Sequence, residues 1–360
     1  MQATFFRPLV SLFAGGPRDG TLSRDDHSTP EYLGRIVQRN YPTKSACHRL
    51  RTSPTEVFVA PQQSLLMTVT VVTRFAPSPT GLLHPGHAYS AITAYETARQ
   101  SNGRFILRIE DIDFTRCRPE FEDAIYEDLE WLGLRWETPV RRQSEHLAEY
   151  QKITDSLKAR GLLYPCFCTR LDIQASVAAP HDNTDGIYPG TCRNLSADEQ
   201  QKRINNGVPF SLRLNMQAAA EQFSAELTWR DLGRGLQSVS PQRIGDVVLA
   251  RKELGCSYHL CVTCDDALQG ITRIIRGVDL FEATDVHRVI QELLGLPVPE
   301  YQHHPLLTDP RTGRRLAKRN QSETLRSLRD RGISPEQIRD RFREMTDPSR
   351  DSGTVTSIDY

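Results

Sequence analysis

Residues 67–110 limit the fold more than any other part of the chain. "MTVTVVTRF" (67–75) is an apolar, β-branched run that reads as a buried strand. A turn rich in proline and glycine follows it. Ala88, Ile92, Tyr95 and Ala98 then fall near one face of a helix over "PGHAYSAITAYETARQS". Asn102-Gly103 ends that helix, and "RFILRIED" (104–111) reads as the next strand. Strand, helix, strand is a βαβ unit, and its two strands must be parallel. The expected fold class is α/β, built on a doubly wound parallel sheet.

The same style continues on both sides of an interruption. "RPEFEDAIYEDLEWLGL" and "SEHLAEYQKITDSLKARG" read as amphipathic helices, the first with Pro119 early and the second ending at Gly161. Residues 164–243 look like an insertion, with cysteines, the loop "APHDNTDGIYPG" and the shorter strands "VPFSLRLN" and "ELTWRDLGRG". The βαβ style resumes with "GDVVLAR", "SYHLCVTCDDAL", read as a strand, and "ITRIIRGVDL", then the helix "EATDVHRVIQELLGL". The division expected is therefore a first half of the sheet domain over 69–163, the insertion over 164–243, and a second half over 244–320. That second half closes on the basic turn "TDPRTGRRLAKRNQ", and 321–360 form a helical tail. Residues 1–68 mix Arg, Ser, Pro and Gly without periodicity and read as a poorly structured extension. Met67 offers an alternative start directly before the first strand. An organellar transit peptide is the other explanation, since acidic residues are few before Asp19.

Charge and cysteine usage exclude some classes of protein. Formal net charge is zero, so any polyanion contact must come from a local patch. No apolar run approaches the roughly 18 residues of a membrane span, and no membrane partner is expected. Eight irregularly spaced cysteines without a convincing signal peptide point to a reducing, cytoplasmic location. They also favour metal binding over a disulfide framework.

The turn between the first strand and helix fits a nucleotide site. In doubly wound folds the ligand lies beyond the carboxyl ends of the strands, at a helix N-terminus that attracts phosphate. Gly81 and Gly86 permit close backbone approach. His84 and His87 can donate hydrogen bonds to an α-phosphate as charge builds on it. G-x-G-x-x-G and the Walker A lysine are both absent, which excludes a dinucleotide fold and a P-loop.

"RFAPSPTGLLHPGH" resembles the signature of the class I aminoacyl-tRNA synthetases, whose "HIGH" motif is matched by His84-Pro85-Gly86-His87. "RFAPSPTG" narrows the resemblance to the glutamyl branch. "LRIEDID" (107–113), "YHL…ITRIIRGVDL" (258–280) and "RRLAKRN" (314–320) agree in order, the last with the family's "KMSKS" loop. The resemblance covers roughly residues 70–320 and implies a Rossmann-like class I catalytic domain. By motif position it implies that Arg74, Phe75, Ala76, Pro77, Ser78, Glu110, Tyr258 and Arg276 contact L-glutamate. It likewise implies that His84, Gly86, His87 and Lys318 contact ATP, used with Mg²⁺. The chemistry of the residues agrees. Glutamate carries two carboxylates and an ammonium, so its pocket needs arginines, which grip carboxylates bidentately, and an acid. In the loop formed by Arg315, Leu316, Ala317, Lys318 and Arg319, Arg315 replaces a lysine and Ala317 a serine. Lys318, the cation expected to stabilise the pyrophosphate leaving group, is retained.

Cys166 and Cys168 in "CFC" and Cys192 in "IYPGTC" are three candidate thiolates for one tetrahedral zinc. His181 is a generic fourth ligand. Tyr188 is the one that the resemblance implies, because a subgroup of synthetases places zinc on C-x-C…Y-x3-C. "CVTC" (Cys261, Cys264) reads as core, and Cys47, Cys117 and Cys256 take no role.

Only about 40 residues follow Arg319, too few for a large anticodon-binding domain. With the cysteine pattern, this resembles the glutamyl-Q tRNA(Asp) synthetases. The resemblance implies activation of glutamate without tRNA, then transfer to queuosine in the anticodon loop of tRNA(Asp), by a monomer. Arg141, Arg142 and the arginine-rich stretch 311–343 are candidate phosphate contacts. The rival readings are a short glutamyl-tRNA synthetase charging tRNA(Glu), a silent RNA-binding relative, and a nucleotidylyltransferase that shares the H-x-G-H turn.

Overall fold

The computed structural model of the protein describes residues 70–169, 171–173, 187–252, 255–307 and 323–346. The N-terminal extension, His181, and the basic turn with Arg315, Leu316, Ala317, Lys318 and Arg319 lie outside the described residues.

Strand β1 (Val72–Phe75) and strand β2 (Arg104–Ile109) pair in parallel, with Val72 opposite Arg104 and Phe75 opposite Leu107. The crossover is helix α1 (Pro85–Gln100). Its buried face is mostly alanine (Ala88, Ala91, Ala94, Ala98), so the helix axis lies close to the sheet. Thr73 Oγ1 donates to Ala94 O at 2.8 Å across that interface. The crossover closes at Gly103, where a Cβ would sit 2.0 Å from Val71 O, so β2 can start beside β1 only through glycine. After Arg104, β2 is buried throughout, as a central parallel strand should be. Helix α2 (Pro119–Trp131) leads to β3 (Glu137–Arg142), which extends the sheet in parallel on the far side of β2. Helix α3 (Leu147–Ala159) follows and buries Tyr150 and Ile153.

The middle of the chain departs from the sequence reading. Strands β4 (Leu163–Cys166), β5 (Ser211–Leu214) and β8 (Val248–Ala250) form an antiparallel sheet of their own. The expectation that "GDVVLAR" rejoins the parallel sheet fails. The hairpin of β6 (Thr228–Asp231) and β7 (Gly235–Ser238) makes the opposite move and joins the second half of the main sheet. Strands of three or four residues are too short for periodicity to assign their partners. The main sheet is accordingly mixed at this edge.

"SYHLCVTCDDAL" is helix α4 (Tyr258–Leu268), not a strand. Ser257 caps it, its side chain accepting from Leu260 N at 3.4 Å. Val262 and Thr263 carry strand propensity, but Cys261 and Asp265, and Val262 and Asp266, repeat at i, i+4 and are all buried. Packing overrides propensity here. Cys261 does face the core, beside Tyr150 and Cys256, with Cys264 packed against the same cluster.

Strand β9 (Arg273–Gly277), helix α5 (Ala283–Leu294) and strand β10 (Glu300–His304) complete a second parallel unit, with Arg276 opposite His303. β6 lies on the outer side of β10. β9 runs beside β1, and Thr272 N donates to Val72 O at 3.0 Å. From this junction β1 leads outward to β2 and β9 leads outward to β10 in the opposite direction, which makes the β1/β9 boundary a topological switch point. The tail forms the expected helical pair, α6 (Leu325–Asp330) and α7 (Pro335–Thr346). It docks on the main core, where Leu325, Leu328, Ile338 and Phe342 are buried with Phe75 and Leu83. Among the described residues no helix is long and apolar enough to cross a membrane.

Candidate active site

A cavity of about 300 Å³ opens at the carboxyl ends of β1 and β9. Its lining includes Arg74, Phe75, Ala76, Pro77, Ser78, His84, Gly86, His87, Glu110, Tyr258 and Arg276. Every residue that the sequence assigned to glutamate or ATP, and that the structure describes, meets in this one space.

The two histidines open helix α1 by capping it. His84 is the N-cap, and its Nδ1 accepts from Gly86 N at 3.1 Å. His87 Nδ1 accepts from His84 N at 3.2 Å, so the two side chains form a reciprocal capping box. Pro85 at the first helical position has no N–H to satisfy. A Cβ on Gly86 would lie 2.9 Å from His84 Cε1, so the ring packs over the glycine. The rings are 3.7 Å apart at their centroids. Because each Nδ1 accepts a backbone N–H, each neutral imidazole carries its proton on Nε2. The cap therefore fixes both tautomers.

Behind β1 and β2 lies a buried ionic network. Arg108, fully buried in the middle of β2, places NH1 2.9 Å from Asp266 and NH2 3.2 Å from Glu110. Arg74 donates from Nε to the same Oδ1 of Asp266, at 3.0 Å, and from NH2 to Oδ2, at 3.4 Å. Asp265, next on helix α4, accepts from Tyr150, Gln143 and Arg141. Glu110 N donates to Pro77 O at 3.0 Å, which ties the end of β2 to the loop after β1. Burial raises the Glu110 carboxyl above the ordinary carboxylate range, and Arg108 and Arg74 pull it back. Glu110 is thus the acid of this network that lines the cavity.

Arg276 is held differently. It is 5% exposed, yet its partners are all neutral acceptors: His303 Nε2 at 3.1 Å, His287 Nδ1 at 3.3 Å and Thr284 Oγ1 at 2.6 Å. Burial holds His287 well below its ordinary value, and Arg276 adds to the effect. Burial likewise brings His303 down to about 4, against the pull of Asp231. Among the described residues no carboxylate lies within ion-pair distance of Arg276. An isolated buried cation is costly unless a ligand pairs it.

The cysteines converge as well. The sulfurs of Cys166, Cys168 and Cys192 all lie within 4.8 Å of one another. Tyr188 Oη is 3.4 Å from Cys166 Sγ and 3.5 Å from Cys168 Sγ, and Cys168 Sγ is 3.5 Å from Cys192 Sγ. A tetrahedron with bonds of about 2.3 Å to sulfur and about 2.0 Å to oxygen has edges of this order. Cys192 N donates to Tyr188 Oη at 2.9 Å, and the Arg213 guanidinium lies 3.8 Å from the ring centre. Both contacts favour negative charge on the phenol oxygen, against burial and the Cys166 and Cys168 thiols, which push that hydroxyl up. The donor set and its spacing fit a zinc ion.

Several residues of the site escaped the sequence reading. Arg108 is a charge inside an apolar strand, and Asp265-Asp266 are paired acids on an apolar segment. Those two anomalies predict each other, and together they are the signal that was available. His287, His303 and Thr284 carried no local signal. Arg141, considered above as a phosphate contact, is mostly buried between Asp265 (2.9 Å) and Glu149 (2.6 Å). Its charge is already used inside the fold. Arg142 is more exposed and pairs with Glu122 at 2.6 Å.

A switch-point cavity with capping histidines, an acid and buried arginines defines a class of nucleotide-using ligase, and similarity places the chain within it. Residues 70–351 match the family described as tRNA synthetases class I (E and Q), catalytic domain, and the chain belongs to that family. It is 48% identical over 279 residues to a glutamyl-Q tRNA(Asp) synthetase of Rhodobacter capsulatus, covering 75% of this chain and 98% of that protein. A glutamate–tRNA ligase of Aquifex aeolicus is 38% identical over 272 residues, covering 74% of this chain and 55% of the relative. Among solved structures, a glutamate tRNA ligase from Elizabethkingia meningosepticum in complex with its amino acid superposes with a TM-score of 0.59 at 30% identity. That match covers 70% of this chain and 52% of the other, so the chain spans about half of that solved ligase.

Proposed function

We propose that this synthetase activates L-glutamate with ATP without RNA and then transfers it to queuosine in the anticodon loop of tRNA(Asp). Arg276 is the observation that carries the amino-acid half of this reading. It is a buried guanidinium with only neutral partners, in the same cavity as the capped histidine pair and Glu110. A dicarboxylate with an ammonium supplies the charge that Arg276 lacks and the charge that Glu110 can take. Glutamate's head group and side chain then reach between the two flanks of the switch point, with Arg74 and Tyr258 on the same wall.

The first step is attack of the glutamate α-carboxylate on the α-phosphate of ATP. One P–O bond forms and another breaks, giving glutamyl-adenylate and pyrophosphate. The Nε2–H groups of His84 and His87 donate to the phosphate as its charge grows, and the start of helix α1 adds its dipole. Mg²⁺ bound with ATP would supply shielding of the phosphates, and Lys318 would serve the leaving pyrophosphate. In the second step a hydroxyl of the modified nucleoside attacks the adenylate carbonyl and AMP leaves. No covalent enzyme intermediate is required, because the acyl-adenylate is already activated.

The queuosine half of the reading is supported by the relatives so named and by the C-x-C…Y-x3-C cluster. We assign that cluster one structural zinc on Cys166, Cys168, Tyr188 and Cys192. Metal analysis of the purified protein should find one equivalent of zinc. The acceptor is tested by glutamate transfer to three purified RNAs: queuosine-containing tRNA(Asp), the same tRNA without queuosine, and tRNA(Glu). Charging of the first alone is expected. Charging of tRNA(Glu) instead would make the protein a short conventional glutamyl-tRNA synthetase.

A further inference from the structure

Behind Arg276 stands a buried pair, His303 and Asp231, that the proposed reaction does not use. The hydrogen bonds around it run one way. Arginine only donates, so His303 Nε2 accepts from Arg276 Nε at 3.1 Å. His303 then carries its proton on Nδ1 and donates to Asp231 Oδ2 at 2.7 Å. A second proton on the ring would set an N–H against the guanidinium, so this contact joins a neutral imidazole to a carboxylate and is not an ion pair. Asp231 is saturated as an acceptor. Oδ2 also takes His303 N at 3.3 Å, while Oδ1 takes Gly233 N and Arg234 N, each at 2.9 Å. All four donors are fixed in direction. A carboxylate accepts at both oxygens, whereas an asparagine would turn an NH₂ toward one pair of donors.

Thr284 Oγ1 accepts from Arg276 NH2 on the same edge, 3.4 Å from His303 Nε2, and His287 holds the other terminal nitrogen, NH1. Arginine has five N–H donors. Three are committed to the protein, and the remaining two sit one on each terminal nitrogen. That fork is the one a carboxylate needs for a bidentate grip.

We propose that Asp231 and His303 are positioning residues: they lock the plane of Arg276 so that its two remaining N–H groups face the cavity as a carboxylate fork. This rests on the reading that Arg276 takes a glutamate carboxylate, and it names what enforces the choice of carboxylate over carboxamide. A locked fork meets an amide with one donor facing an NH₂, whereas a guanidinium free to turn can settle for a single contact.

The test is glutamate-dependent pyrophosphate exchange by the full-length protein and its Asp231→Asn variant, with the KM for glutamate and for ATP measured separately. Glutamine and isoglutamine, the γ- and α-amides, serve as competitive inhibitors to show which carboxylate is read. The variant should raise the glutamate KM roughly 10- to 100-fold, the usual cost of losing support behind a ligating group. The ATP KM should stay within about twofold, and discrimination against one of the two amides should collapse. His303→Gln, which keeps an acceptor near Arg276 Nε, should retain more glutamate affinity than His303→Phe. A glutamate KM unchanged in Asp231→Asn, or one that rises in step with the ATP KM, would overturn the positioning role alone. A wild-type protein without glutamate-dependent exchange would overturn the functional reading, and this inference with it.

Discussion

The two flanks of the switch point bury arginines under opposite conditions. On the β1–β2 flank, Arg74 and Arg108 face Asp266, from helix α4, and Glu110, from the end of β2. On the β9–β10 flank, Arg276 meets two imidazoles and a hydroxyl. Each arginine of the first arrangement already faces a carboxylate, so it holds sheet and helix together. The second has only neutral partners, and in the proposed reading a substrate carboxylate supplies the missing charge. Burial alone therefore does not mark a binding arginine. The chemistry of its partners does.

The comparison breaks if the two flanks respond alike to loss of charge. Arg108→Met should be the most damaging change to the fold. It leaves Glu110 without its ion-pair partner and Asp266 with Arg74 alone, and should cost about 3–5 kcal/mol in chemical denaturation. Arg276→Met should leave the melting temperature of the ligand-free protein unchanged or raised, because it removes a cation that has no carboxylate. Its damage should appear in exchange kinetics, where kcat/KM for glutamate should fall roughly 10²- to 10³-fold, in line with loss of one side of a buried charge pair. Equal destabilisation by the two variants would erase the distinction.

Asp128 on helix α2 sharpens the comparison from the acidic side. It is fully buried, neither carboxylate oxygen has a hydrogen-bond partner, and its nearest cation, Arg329, is 3.7 Å away. It does not line the active-site cavity, so its charge should be a plain cost. Burial raises its pKa to about 6, and Arg329 only partly offsets this. The native state then holds this proton more tightly than the unfolded chain does. Stability should fall as pH rises from the ordinary aspartate value through about 6. Asp128→Asn should remove that slope and gain on the order of 2 kcal/mol at neutral pH. A variant that keeps the slope would assign it to another group.

The first βαβ unit was readable from sequence because its apolar periodicity, its Pro-Gly turn and its glycine stop all agree. Helix α4 was not. Its β-branched Val262 and Thr263 suggested a strand, and only the burial of Asp265 and Asp266 against Arg108 explains the helical face. The partners of β6 and β8 were equally hidden, since three or four residues cannot specify a sheet. His84, His87, Glu110 and Arg276 were legible as residue types in ordered motifs. The support behind them was not, because Asp231 and His303 lie 72 positions apart and meet only when β6 docks beside β10. The cysteine cluster was legible in its thiols, and the approach of Tyr188 Oη to two sulfurs needed the fold.

The central claim is that this cavity, by itself, selects and activates glutamate. It is tested most directly by ATP–pyrophosphate exchange in the complete absence of RNA, with glutamate, glutamine and aspartate compared. Exchange with glutamate alone is the predicted result. No exchange with any of the three, or exchange that begins only when tRNA is added, would contradict the account.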